Sequence, residues 1–184
     1  MARRPGHREA VGMSSTPTLG AATAPPRLPP APVIKSAWRI HRLLYRVSGG
    51  RFLWTPANKR GWGALRLTTT GRRSGADRSV ILAYLTHGDG WSVVAMNGWL
   101  PGHPAWLLNL RAQPSATIRL KGGPARDVVA REAKGAEREA IWARWLAVDP
   151  NLGAWAAARS TPTPVVVLEL SAASAGAWRD ELRG

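Results

Sequence analysis

The chain contains no cysteine. That removes disulfides, thiolate metal sites and a cysteine nucleophile together. The absence suits a reducing compartment, and a cytoplasmic protein is expected. Acidic residues are scarce, eleven against 26 lysines and arginines. No carboxylate dyad of the kind used in general acid–base work is evident, and Glu137 and Glu139 fall on the polar side of a helix. The four histidines lack metal-ligand spacing, so no metal is expected. No apolar run approaches the roughly 18 residues of a spanning helix. The N-terminal arginines are not followed by an apolar signal core, so no secretory leader is expected.

What is present is a 184-residue chain, 45% hydrophobic, with a net charge of +15. That length suffices for one domain with a sizeable core. Residues 1–34 are rich in proline and carry a net +3, which reads as a disordered basic tail. Most of the positive charge therefore belongs to the rest of the chain. A surface so basic attracts polyanions such as nucleic acid, anionic lipid or a phosphorylated cofactor, unless it is simply a solvated face. Residues 35–48 form an amphipathic basic helix that either packs on the domain or touches an anionic membrane surface.

Strands are expected over 64–70, 78–86, 91–96, 115–120, 125–133 and 163–170, and helices over 103–114 and 135–149. "HGDG" at 87–90 reads as a hairpin turn with positive φ at both glycines. Short hairpins predict an antiparallel sheet curling into a barrel with flanking helices. The expected domain spans 35–171, followed by a C-terminal tail over 172–184.

Two stretches carry chemistry. In "TTTGRRSGADR", Gly71 and Gly75 let the chain bend, and backbone N–H groups could line an anion-binding nest. Arg72, Arg73 and Arg78 add guanidinium forks, which match phosphate and carboxylate oxygens, and Ser74 adds a hydroxyl. The alternative is a solvated basic hairpin. The spacing is neither that of a P-loop nor that of a dinucleotide fingerprint. The second stretch, "VVAMNGWLPGHPAWLLNLRAQP", runs from a strand end at Met96-Asn97-Gly98 to a helix bearing Trp106 and Asn109. His103, read alone, is a helix-capping or surface residue.

In this order and spacing the two stretches resemble the deazaflavin-dependent nitroreductase family of actinobacteria, over roughly residues 36–170. The resemblance implies a split β-barrel related to the FMN-binding barrels, and coenzyme F420, whose phosphodiester and polyglutamate tail are anionic. It implies hydride transfer from reduced F420 to an electron-poor acceptor: a quinone, an enone or a nitroaromatic. Arg72, Arg73, Ser74, Gly75 and Arg78 would face the coenzyme phosphate. Val80, Ile81 and Leu82 would border the ring or its side chain. Ala95, Met96 and Asn97 would line the ring's other edge, and Trp106 and Asn109 would close the groove.

The chain departs from the family on the substrate side. Nitro-reducing members place a small hydroxyl residue where Met96 stands, and tyrosines near 148–155, where this chain has Asp149, Leu152 and Trp155. Met96, Leu152 and Trp155 therefore mark a more apolar substrate pocket, with a small-molecule acceptor as partner. No catalytic proton donor is assigned. The alternatives are a non-catalytic deazaflavin or lipid binder, and a reductase using FMN. A nucleic-acid protein is not expected, because tryptophans such as Trp142 and Trp145 sit among apolar residues rather than on a basic face.

Overall fold

The computed structural model describes residues 57–175. The tail at 1–34 and the helix at 35–48 lie outside the described residues, as does most of the C-terminal tail. Six strands, β1 (Trp62–Thr70), β2 (Asp77–His87), β3 (Gly90–Val94), β4 (Ser115–Arg119), β5 (Ala125–Glu132) and β6 (Val165–Leu170), make an antiparallel barrel. Their order around it is β1-β2-β3-β6-β5-β4, with β4 closing on β1. Among the described residues, helices α1 (Ala105–Ala112), α2 (Gly135–Val148) and α3 (Leu152–Ala157) flank the barrel. This is the barrel class expected from the sequence.

Alternation decides what each strand buries. On β1, Leu65, Leu67 and Thr69 point inward and are almost fully buried, while Arg66, Thr68 and Thr70 remain partly exposed. The valine run of β6 is buried on both faces. Val166 and Leu168 enter the barrel core with Leu65, Leu67, Val93, Trp106 and Leu107. Val165 and Val167 join a second core under α2, with Leu85, Ile141, Trp145 and Leu152. Full burial of a side chain such as Ile141 or Trp145 contributes about 1.5–3 kcal/mol, and these two hold α2 to the barrel.

An ion-pair cluster fastens the start of α2. Glu137 receives both Arg131 guanidinium nitrogens, at 2.6 and 2.7 Å, and contacts His87 at 3.2 Å. Arg131 also reaches Glu169 at 2.8 Å. The Arg131 guanidinium, with His87 adding to it, holds the Glu137 carboxyl down at about 2.

Several boundaries move. β1 and β2 begin earlier than expected, at Trp62 and Asp77, and β6 begins later, at Val165. α1 is confined to 105–112, with Pro104 as its N-cap rather than within its first turn. α3 was not anticipated, because "NLGAWAAA" carries a glycine and almost no amphipathic pattern. In the hairpin after β2, Gly88 takes φ 55, but Gly90 does not take a positive φ. Gly90 is needed for closeness instead: a Cβ there would collide with the Leu168 carbonyl on β6.

Candidate functional site

The important departure concerns β3. Expected to run through Met96, it ends at Val94. β2 and β3 share only three residue pairs, Leu85 with Ser92, Thr86 with Trp91 and His87 with Gly90. Continued, that register would set Leu82 opposite Ala95, Ile81 opposite Met96 and Val80 opposite Asn97. No ladder forms there. The Ala95 N–H goes to the Pro164 carbonyl (2.9 Å), away from β2. By alternation Val94 faces β2, yet its carbonyl accepts the Met96 N–H (3.1 Å) in a tight local turn. The turn continues through Asn97 and Gly98, at φ 51 and 58. Among the described residues, the barrel therefore has an unpaired seam along the first half of β2.

The six residues expected at the ring thus belong to the two segments that part company here, 80–82 on β2 and 95–97 just after β3. Val80 and Leu82 pack against the barrel core and Ala95 is fully buried within it. Met96 packs against the second core beside Leu152. The lips are apolar except for Asn97, whose Nδ2 donates to the Pro101 carbonyl (2.9 Å). Leu152 is core, 7% exposed, within the same second core that Met96 packs against, and Trp155 is half-buried on the same helix α3.

The turn between β1 and β2 lies at the end of β2 from which the seam starts. Gly75 adopts φ 66, and a Cβ on Gly71 would crowd the Ala76 carbonyl at 2.9 Å. The backbone nest expected here is not free. The N–H groups of Gly71, Ser74 and Gly75 bond within the turn at 2.7–3.1 Å, and that of Ala76 points to Ser74 Oγ. The Arg72 N–H donates to Asn109 Oδ1 (3.2 Å). A bend this short uses up most of its own backbone donors, so what it presents to solvent is chiefly its side chains. Arg78 Nη2 meets Ser74 Oγ at 3.4 Å. Arg73 is exposed, and among the described residues its side chain forms no hydrogen bond or ion pair.

Asn109 and Trp106 were expected to close the groove. Trp106, 7% exposed, belongs to the barrel core. Asn109, 4% exposed, donates from Nδ2 to Thr69 Oγ1 (3.0 Å) and accepts from Arg72. It seats the arginine turn on α1. The FMN-type alternative would use the same turn, since both coenzymes carry a phosphate on a ribityl arm.

Sequence reasoning missed Arg159, which is 8% exposed. Its guanidinium donates to the carbonyls of Ala95, Leu100 and Gly102 and to Thr163 Oγ1, at 2.7–3.3 Å. Burial lowers its pKa. In so basic a chain, one more arginine in "AAARSTPTP" carries no signal of burial.

Comparison with known proteins converges on one family. The family model described as F420H(2)-dependent quinone reductase matches residues 37–170. A Mycobacterium tuberculosis (strain H37Rv) protein named F420H(2)-dependent quinone reductase is 34% identical over 139 residues, covering 71% of this chain and 87% of its own. The solved structure of an F420-H2 dependent reductase, FDR-A, is 31% identical with a TM-score of 0.52, covering 58% of this chain and 93% of that one. A solved domain-swapped dimer is 27% identical with a TM-score of 0.55, covering 76% of this chain and 100% of that one.

Proposed function

The chain belongs to the F420H(2)-dependent quinone reductase family, and on that premise we propose that it reduces electron-poor organic acceptors, quinones foremost, with reduced coenzyme F420. The observation that carries this reading is the seam. Residues 80–82 of β2 and the largely apolar segment 95–97 are left unpaired where β3 turns away from β2, and the turn at the near end of β2 brings Arg72, Arg73 and Arg78 together. A flat heterocycle with an anionic arm matches that pairing of features. The residues present fit the group: Arg72, Arg73, Arg78 and Ser74 would hold its phosphate, and the lips would hold its ring.

When bound, the coenzyme supplies the hydride; the protein supplies position and electrostatics. Val80, Leu82 and Ala95 exclude water from the inner side of the seam, and Ile81 and Met96 bound its outer side. Met96 offers no hydroxyl, so at this position the acceptor is held by apolar contact, which suits a flat, largely hydrocarbon ring. The preference for quinones comes from the family match. The alternative of a binder without turnover predicts affinity with no oxidation of the coenzyme.

Fluorescence titration with F420 and with FMN, followed by mixing the reduced coenzyme with quinone, enone and nitroaromatic acceptors, tests the reading. Tight F420 binding with quinone turnover is expected. Exchanging Arg72 and Arg73 together for alanine should weaken binding well over tenfold, because each charge-assisted contact is worth about 1.5–3 kcal/mol. No affinity for F420 in folded wild-type protein would end the proposal.

A further inference from the structure

The turn from Ala95 to Gly102 forms the second lip of the seam; Ala95 and Met96 pack into the two cores, and among the described residues few hydrogen bonds hold the rest of it. The Asn97 side chain to Pro101 and the Leu100 N–H to Asn97 tie it only to itself. Its links to the rest of the barrel converge on the segment after α3. Pro164 takes the Ala95 N–H (2.9 Å), and Thr161 Oγ1 takes the Gly102 N–H (2.8 Å). Arg159 takes three carbonyls: Ala95 through Nη1 (3.2 Å), Leu100 through Nε (3.3 Å) and Gly102 through Nη2 (2.8 Å). Nη1 also donates to Thr163 Oγ1 (2.7 Å), which anchors the guanidinium to its own segment.

No carboxylate is paired with Arg159 among the described residues. Burying a cation without a counterion is expensive, and a hydrophobic filler would secure a merely structural loop at lower cost. What the guanidinium adds is a planar fork whose N–H directions fix three carbonyls relative to one another. Those carbonyls belong to both ends of the turn that carries Met96 and Asn97.

We propose that Arg159 is a positioning residue for the reaction: it sets the 95–102 lip at the spacing from β2 that admits the coenzyme ring. This role rests on the function proposed above. It makes a separation that a loop anchor alone would not. Arg159 should govern how the ring is held, while Arg72 and Arg73 govern how the anionic arm is held.

The test compares the full-length wild type with Arg159→Lys and Arg159→Met. Three quantities are measured: amide hydrogen exchange over 96–102, the Kd for F420 across a salt series, and kcat and KM with a soluble naphthoquinone. Both variants should exchange faster over 96–102. Their Kd should rise at least tenfold, with the slope of log Kd against log salt unchanged, because no surface cation has been removed. The alanine pair at 72 and 73 should instead flatten that slope. Arg159→Lys should recover thermal stability relative to Arg159→Met but not coenzyme affinity, since a compact ammonium lacks the fork. Should Arg159→Met fail to fold, Arg159→Lys carries the comparison. Folded variants that bind F420 and turn over within twofold of wild type would overturn the role, as would unchanged exchange over 96–102. Wild-type protein without affinity for the coenzyme would overturn the proposed function and this role together. Wild-type binding with unaffected variants would overturn the role alone.

Discussion

Replacing Asn109 by leucine tests how α1 controls the arginine turn. Leucine has the heavy-atom count and branching of asparagine with bulkier methyl ends, and it meets the barrel core, so no cavity opens. What disappears is a buried bond to Thr69 Oγ1 and a half-buried bond from the Arg72 N–H. Thr69 keeps an outlet, because its hydroxyl also reaches the Arg78 carbonyl at 3.4 Å. The contact from Arg72 Nη1, at 3.5 Å, is too long to weigh. Each of the two good bonds is worth about 1 kcal/mol net, so the loss should be about 1–2 kcal/mol. For a chain of this size that lowers Tm by about 3–8 °C. The turn then loses its seat, and Arg72 its fixed direction, so F420 affinity should fall about tenfold, or about 1.4 kcal/mol. Thr69→Val is the control. It removes the same buried bond but leaves Asn109 on the Arg72 N–H, so it should lower Tm while sparing affinity. Melting curves of the coenzyme-free protein and fluorescence titration read both quantities. A leucine variant within 1 °C and twofold of wild type would refute the assignment of Asn109 as the seat of the turn.

Two further predictions concern the barrel. Gly90→Ala drives a Cβ into the Leu168 carbonyl on β6, a backbone atom of a strand buried on both faces; a loss of about 1–3 kcal/mol is expected from such overpacking and is measurable by urea unfolding. Glu137 has a depressed pKa in the folded state, so its pairing stabilises the fold above the ordinary carboxylate range and is lost as pH falls from about 4.5 toward about 2. Glu137→Gln should flatten the acid limb of a Tm-against-pH curve and lower Tm at pH 7 by an amount corresponding to about 1 kcal/mol.

The barrel was legible because its evidence is local. The alternation of "ALRLTTT", the glycines of the hairpins and the valines of β6 each constrain their own few residues. The order of short hairpins then leaves few topologies. The arginine turn was legible as a cluster, but its backbone donors were not. Whether the N–H groups of Gly71, Gly75 or Arg72 are free depends on a six-residue bend closing on itself and on Asn109 arriving from α1. The end of β3 was misjudged for a similar reason. "WSVVAM" is apolar throughout, and nothing in it reveals that Ala95 will turn to Pro164 instead of following β2. Arg159 was invisible because burial of a single cation is decided by three carbonyls distant in sequence. The residues named for the ring were reached through family resemblance alone; the structure adds that they flank the point where β3 leaves β2.

An unfinished sheet edge has consequences beyond catalysis. Among the described residues, Ser79–Ala83 of β2 make no backbone hydrogen bond outside their ladder with β1. Such an edge is a template for any passing strand, including that of a second copy. A ligand seated against it acts as a guard as well as a reagent, and by mass action it stabilises the form that it occupies. With the coenzyme seated there as proposed, starvation for it would cost the protein turnover and, with it, protection against self-association.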